Sequence, residues 1–78
     1  MANYGVYLGV ITDGNDPQQA GRVQIRLPWL GSTMWALVAS PVGSAPGGRV
    51  QPGTTVVVAF ERGDESRPIV LGRVQGIT

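Results

Sequence analysis

The sequence contains no cysteine and no histidine among its 78 residues. Without cysteine, neither a disulfide framework nor a thiolate metal site can stabilise so small a chain. Without histidine, the commonest metal ligand and the commonest general base near neutral pH are both missing. We therefore expect a protein that is not an enzyme, with no catalytic residue, no bound metal and no cofactor.

Charge and long apolar runs are also scarce. Lysine is absent, and six arginines against five acidic residues leave a net charge of only +1. A field this weak does not hold a polyanion, so we expect no nucleic-acid partner. No apolar run approaches the roughly 20 residues that cross a bilayer, and the N-terminus lacks the basic and apolar regions of an export signal. The sequence thus predicts no transmembrane segment and no signal peptide.

The clearest strand signal lies in residues 21–30. Apolar and polar side chains alternate there with a period of two, which is the pattern of a strand with one buried face. Pro28 cannot donate a hydrogen bond to a neighbouring strand, so it ends the pattern. The predicted core-facing residues are Val23, Ile25 and Leu27, and the predicted outward-facing residues are Arg22, Gln24 and Arg26.

Four further segments are rich in the β-branched and aromatic residues typical of strands. In the first of them, Val6, Leu8 and Val10 share one face. The second and third carry apolar residues on both faces, and we expect Trp35 of the second to lie in the core. The fourth contains Gly72, which predicts a kink. These segments are residues 4–12, 34–40, 54–61 and 67–74.

The segments between the strands have the composition of turns and loops. Asp13 and Asp16 lie in a turn cluster, where a short carboxylate can accept hydrogen bonds from the backbone of the turn itself. Residues 41–53 are rich in proline, glycine and serine, and they predict a long loop rather than a helix. Residues 62–66 have the length and polarity of a hairpin connection. We therefore assign the acidic residues to turns and to a solvated hairpin end, not to a carboxylate pair or a metal site.

Five short strands without a capped helix predict an all-β chain with one domain, residues 3–76. The small number of strands and the glycines inside them favour a small five-stranded OB-fold barrel, with an SH3-like barrel as the alternative. A barrel has a single interior, so it cannot bury both faces of the two double-sided strands. We expect further copies or a larger assembly to cover the outer faces. The candidate contacts between subunits are Arg22, Gln24, Arg26, Trp29, Leu30 and Met34.

An alternative function is the binding of single-stranded nucleic acid, because OB folds often stack bases on aromatic rings above a cationic groove. Arg22 and Arg26 share one face of a strand, and Trp29 and Trp35 lie close by in the sequence. Against this function, the chain has only two tryptophans, two tyrosines and one phenylalanine, and its arginines form no basic cluster. A structural role is therefore the leading hypothesis.

A succession of short motifs carries a family resemblance. It runs through Gly-Arg-Val at 21–23, Pro-Trp at 28–29, Trp-Ala at 35–36, Phe-Glu at 60–61, Gly-Asp at 63–64 and Leu-Gly at 71–72. In this succession, spread over nearly the whole chain, the sequence resembles the OB-fold domain of contractile-tail baseplate spike proteins. That group includes the phage baseplate assembly protein V family and the valine-glycine-repeat spike of type VI secretion.

The resemblance implies a trimeric, non-enzymatic domain in the tail baseplate of a virion, where it links the hub that closes the tail tube to the membrane-piercing spike. Its partners would be two further copies, the baseplate hub and spike-tip proteins, with membrane contact only indirect through the spike. Longer relatives carry a needle, a hub portion or a lysozyme domain. We expect none of these as a separate domain in this chain. Thr54 and Thr55 also stand where many relatives have an acidic residue.

Overall fold

The chain folds into a closed barrel of five strands in the order β1–β2–β3–β5–β4, and β4 pairs back onto β1. The computed structural model describes residues 4–16, 18, 21–40, 42–43 and 51–75. The predicted all-β class and the five-stranded barrel are confirmed. The strands are β1 Tyr7–Asp13, β2 Val23–Arg26, β3 Thr33–Val38, β4 Thr55–Phe60 and β5 Pro68–Arg73.

Closure of the barrel depends on one parallel strand pair. β3 and β5 run parallel, with Leu37 beside Ile69 and Val38 beside Val70. The other four pairs are antiparallel. Just beyond β3, the backbone N–H of Ala39 donates to the carbonyl oxygen of Val70 at 2.9 Å and extends this seam. This Greek-key order is that of the predicted OB-fold barrel.

The barrel interior is filled by apolar side chains from all five strands. The alternation in residues 21–30 is confirmed, since Val23, Ile25 and Leu27 are all buried. β2 ends at Arg26, and Pro28 lies in the turn that follows it. Among the described residues, the core comprises Ile11, Val23, Ile25, Leu27, Ala36, Val56, Val58, Phe60 and Val70.

The first strand is shorter at its start than predicted, because β1 begins at Tyr7 and not at position 4. Its shared face of Leu8 and Val10 is confirmed and points away from the core. On the inner face, Gly9 is buried where β1 approaches the end of β2 closely. A Cβ atom at Gly9 would lie 3.1 Å from Cδ2 of Leu27 and 3.3 Å from the carbonyl oxygen of Arg26. Glycine therefore allows this approach of the two strands.

The prediction that Trp35 lies in the core is wrong. Strand β3 turns Ala36 inward, where it is fully buried, and this places Trp35 on the outer face beside Gln24 of β2. Both faces of this segment are apolar, so the period of two could not decide which one faces inward. A barrel of so few strands has a narrow interior, and the small side chain of Ala36 suits it better than an indole.

β4 and β5 form the predicted hairpin. They are joined by a short 3-10 turn at Glu61–Gly63, in which Arg62 adopts a positive φ of 55°. In β5 the register shifts, because Val57 pairs with Gly72 while Val58 pairs with Val70. Leu71 is thus the extra residue of a bulge, next to the position where a kink is expected.

Some predictions concern residues outside the described ranges. The limits of the predicted domain, residues 3 and 76, lie there, and so does most of the predicted loop 41–53. Near the end of that loop, the Thr54 hydroxyl donates to the carbonyl oxygen of Gln51 at 2.7 Å. Within the described ranges, no helix has the length and apolar character needed to cross a membrane.

Candidate interaction surfaces

One side of the barrel is organised by a partly buried ion pair. Asp16 is buried, and its carboxylate accepts hydrogen bonds from Nε of Arg22 at 2.9 Å and from Nη2 at 3.0 Å. The same carboxylate accepts the backbone N–H groups of Gln18 at 2.9 Å and Arg22 at 3.3 Å. Its predicted role in the turn is therefore confirmed. Asp13 also serves this turn, since it accepts the N–H of Asn15 at 2.8 Å.

The ion pair also holds Arg22 over an aromatic ring. The guanidinium carbon of Arg22 lies 5.5 Å from the ring centroid of Trp35, within the range of a cation–π contact. The hydrogen bond to Asp16 raises the pKa of Arg22 above its ordinary value. The turn before β2 is thereby attached to the outer face of β3.

The outer face of β2 is polar, and we call it the polar face: Arg22, Gln24 and Arg26. Thr12 of β1 donates from its hydroxyl to the backbone oxygen of Gln24 at 3.2 Å and to its Oε1 at 3.0 Å. Arg26 is exposed at the end of β2, between Val10 of β1 and Thr33 of β3. Two members of this face, Arg22 and Gln24, therefore bond to their own chain.

The other three predicted contact residues lie around the turn after β2. Trp29 is 46% exposed, and its ring centroid is 4.8 Å from that of Tyr7, which lies 5.5 Å from that of Phe60. Leu30 and Met34 are partly buried and pack against the core. The six residues thus occupy the polar face, an aromatic cluster at the turn and the edge of the core. Their role in contacts between subunits stays a prediction.

A further uncovered apolar surface lies elsewhere, on the outside of β1, β4, β5 and the end of β3. Leu8, Leu37 and Leu71 are each about half exposed, at 49%, 52% and 48%. No charged residue of the described ranges stands among the outward positions of this surface. The sequence indicated such a surface, because some of its strands have apolar residues on both faces. It did not show that these strands lie next to one another. We call this surface the outer apolar face: Leu8, Val10, Leu37, Val57, Ala59, Ile69 and Leu71.

The acidic residues near the hairpin are engaged with their neighbours. Glu61 accepts a hydrogen bond from Nε of Arg67 at 2.9 Å, in an exposed ion pair. Asp64 accepts the hydroxyl of Ser66 at 2.7 Å and its backbone N–H at 3.0 Å, and these bonds lower the pKa of Asp64. The hairpin-end role predicted for these acids is confirmed. Among the described residues, no three histidine, cysteine, aspartate or glutamate side chains are grouped to hold a metal ion.

Comparison with known proteins identifies the family. No curated protein sequence matches the chain. A family model described as the type VI secretion system/phage-baseplate injector OB domain matches residues 7–74, which include all five strands. This agrees with the closed barrel and with the succession of motifs in the sequence. The chain therefore belongs to the OB domain family of type VI secretion and phage-baseplate injectors, a family whose role in the baseplate is structural.

Proposed function

We propose that this chain is the central OB domain of a contractile-tail baseplate, where three copies link the hub that closes the tail tube to the membrane-piercing spike. The observation that carries the proposal is the outer apolar face. In the part of the chain that the structure describes, nine buried residues fill the interior of a single barrel, and this second apolar surface is left without cover. Exposed apolar surface of this kind is typical of a subunit within an assembly.

The site chemistry favours a structural role over the stacking of single-stranded nucleic acid. Such binding needs free cations beside free aromatic faces. Here Arg22 is bound by Asp16, and its guanidinium covers one side of the Trp35 ring. Trp29 packs on Tyr7. This alternative requires two arginines and two tryptophans. Three of these four side chains, Arg22, Trp29 and Trp35, therefore make contacts within the chain.

The proposed partners follow from the position of such a domain in the injector. The hub protein and the spike-tip protein would contact the two ends of a ring of barrels, and the membrane would be reached only through the spike. In a phage, the chain would then lie in the tail baseplate of the virion. The polar turns at the barrel ends, which include Arg62 and Asp64, are suited to such contacts because exposed charged groups set orientation more than affinity.

The proposal is tested by the mass of the purified chain in solution and by its binding to a hub. Light scattering should give about three times the chain mass of 8.2 kDa over a wide range of protein concentration. An affinity-tagged chain should retain the hub protein encoded by the same injector gene cluster. A monomer at every concentration that also fails to retain the hub would refute the proposed function.

A further inference from the structure

We infer that the outer apolar face consists of two half-interfaces, and that each is covered by the opposite half-interface of another copy of this chain. This inference rests on the proposed trimer and adds to it the surfaces that meet. Strand β4 lies between the halves, and its outward side chains Val57 and Ala59 are only partly exposed. The more exposed residues stand on either side of β4.

The first half-interface is the β1 patch: Leu8 and Val10. Leu8 pairs with Val57 of β4 across the sheet, and Val10 pairs with Thr55. Both residues of the patch are exposed, at 49% and 40%. On its other side the patch is bordered by Arg26 of β2, which lies beside Val10. An apolar patch with a charged residue at its rim is the usual anatomy of an interface.

The second half-interface is the β5 patch: Leu37, Ile69 and Leu71. Ile69 lies between Ala59 of β4 and Leu37 of β3, because it pairs with both. Leu71 is the extra residue of the bulge in β5, and its side chain is 48% exposed. Bulges re-aim a side chain relative to the regular strand. The β5 patch thus presents large aliphatic side chains to the outside.

The lack of charge on the two patches favours an apolar occupant, and another copy of the same chain supplies such a surface. The described charged residues lie on β2, in the turns and at the ends of β1 and β5, and none belongs to either patch. A charged partner such as nucleic acid or an acidic peptide would find no countercharge on these patches. The β1 patch of one copy and the β5 patch of the next can meet without desolvating any charged group.

The presence of two patches on one barrel determines the type of contact. In a two-fold dimer each contact surface meets itself, so a dimer through either patch would leave the other patch in water. A head-to-tail contact uses both patches of every copy, and it closes into a ring when the rotation allows. A head-to-tail ring covers the whole outer apolar face with a single type of contact, and three copies would form the ring of the proposed baseplate domain.

The test uses one charged substitution in each patch and the mixture of the two variants. Leu8→Asp damages the β1 patch, and Leu71→Asp damages the β5 patch. Each variant alone should lose the trimer, because every contact would contain one damaged half. An equimolar mixture should form a species of two chains, since the intact β5 patch of Leu8→Asp can bind the intact β1 patch of Leu71→Asp. Thr33→Asp adds the same charge at an exposed position on β3 outside both patches, and it should remain trimeric.

The outcomes separate this inference from the proposed function. A wild-type trimer whose two variants also remain trimeric overturns the inference and leaves the proposed function standing. A variant that forms dimers with itself overturns the inference as well, because it shows a contact of one patch with its own copy. A monomeric wild-type chain contradicts the inference, and it refutes the proposed function as well if the chain also fails to retain the hub. Far-ultraviolet circular dichroism and cooperative unfolding of each variant establish that a loss of mass is not a loss of fold.

Discussion

Replacing Gly9 with alanine should destabilise the barrel, although alanine is normally the better residue inside a strand. The added Cβ would lie 3.1 Å from Cδ2 of Leu27 and 3.3 Å from the carbonyl oxygen of Arg26. Carbon atoms prefer separations of about 3.5–4.0 Å, so Leu27 would have to move by a few tenths of an ångström. Leu27 is 1% exposed within the core, and the second contact is backbone, so neither neighbour can move freely.

The size of the effect follows from two opposing contributions. Overpacking of a filled core by one methyl group costs about 1–3 kcal/mol of unfolding free energy. Removal of a glycine from a strand returns about 0.5–1 kcal/mol, because the unfolded chain loses conformational freedom. The net loss should be about 0–2.5 kcal/mol, centred on about 1 kcal/mol, which corresponds to a fall of several degrees in Tm for a domain of this size.

Gly72→Ala provides the matched control, because Gly72 also lies inside a strand but has no heavy atom within 4 Å of the position of a new Cβ. It should gain about 0.5–1 kcal/mol. Urea denaturation followed by tryptophan fluorescence, at one fixed protein concentration, measures both variants. If Gly9→Ala is as stabilising as Gly72→Ala, then β1 and β2 do not approach each other as closely as described.

Three further perturbations test the ion pair, the hairpin and the aromatic cluster. Asp16→Ala should cost about 1–3 kcal/mol in urea denaturation, because it leaves backbone N–H groups of the turn without their acceptor; an unchanged midpoint would mean that water replaces the carboxylate. The stabilisation from the lowered pKa of Asp64 should be complete above the ordinary value of 3.8 and should disappear as the pH falls through the lowered pKa. In Ser66→Ala, an NMR titration should show the pKa of Asp64 moving back up, and no movement would refute the assigned hydrogen bond. Trp29→Ala should lower the Tm, because it removes the indole ring that packs on the ring of Tyr7. A contact between two aromatic rings contributes about 0.5–1.5 kcal/mol beyond the burial of area. A variant with the wild-type Tm would show that the Trp29 ring does not support the fold.

The strands with one polar face could be predicted from the sequence almost completely. In residues 21–30 only one set of side chains is apolar, so the inner face of Val23, Ile25 and Leu27 follows directly from the period of two. The same argument fails for β3, where both faces are apolar. Whether Trp35 or Ala36 faces inward depends on the width of the closed barrel. No local sequence pattern predicts that width.

Contacts between residues far apart in the sequence explain the remaining differences between the predicted and the observed structure. The parallel pairing of Leu37 with Ile69 joins residues far apart in the sequence, and it unites β3 and β5 into one outer apolar face. The sequence indicated that double-sided strands need cover, but it did not show that their outer faces adjoin. The predicted interface therefore centred on β2. There the structure places Arg22 in an ion pair with its own chain, through the turn residue Asp16.

The absence of cysteine from the chain makes a direct measurement of the proposed head-to-tail contact possible. The double variant Leu8→Cys with Leu71→Cys carries one thiol in each patch, and a short flexible bis-maleimide can link thiols on adjoining copies. The account predicts covalent species up to the trimer on a denaturing gel for the double variant, and no cross-linked species for either single variant. Covalent dimers of Leu8→Cys or Leu71→Cys alone, or an uncross-linked double variant of trimeric mass, would contradict it.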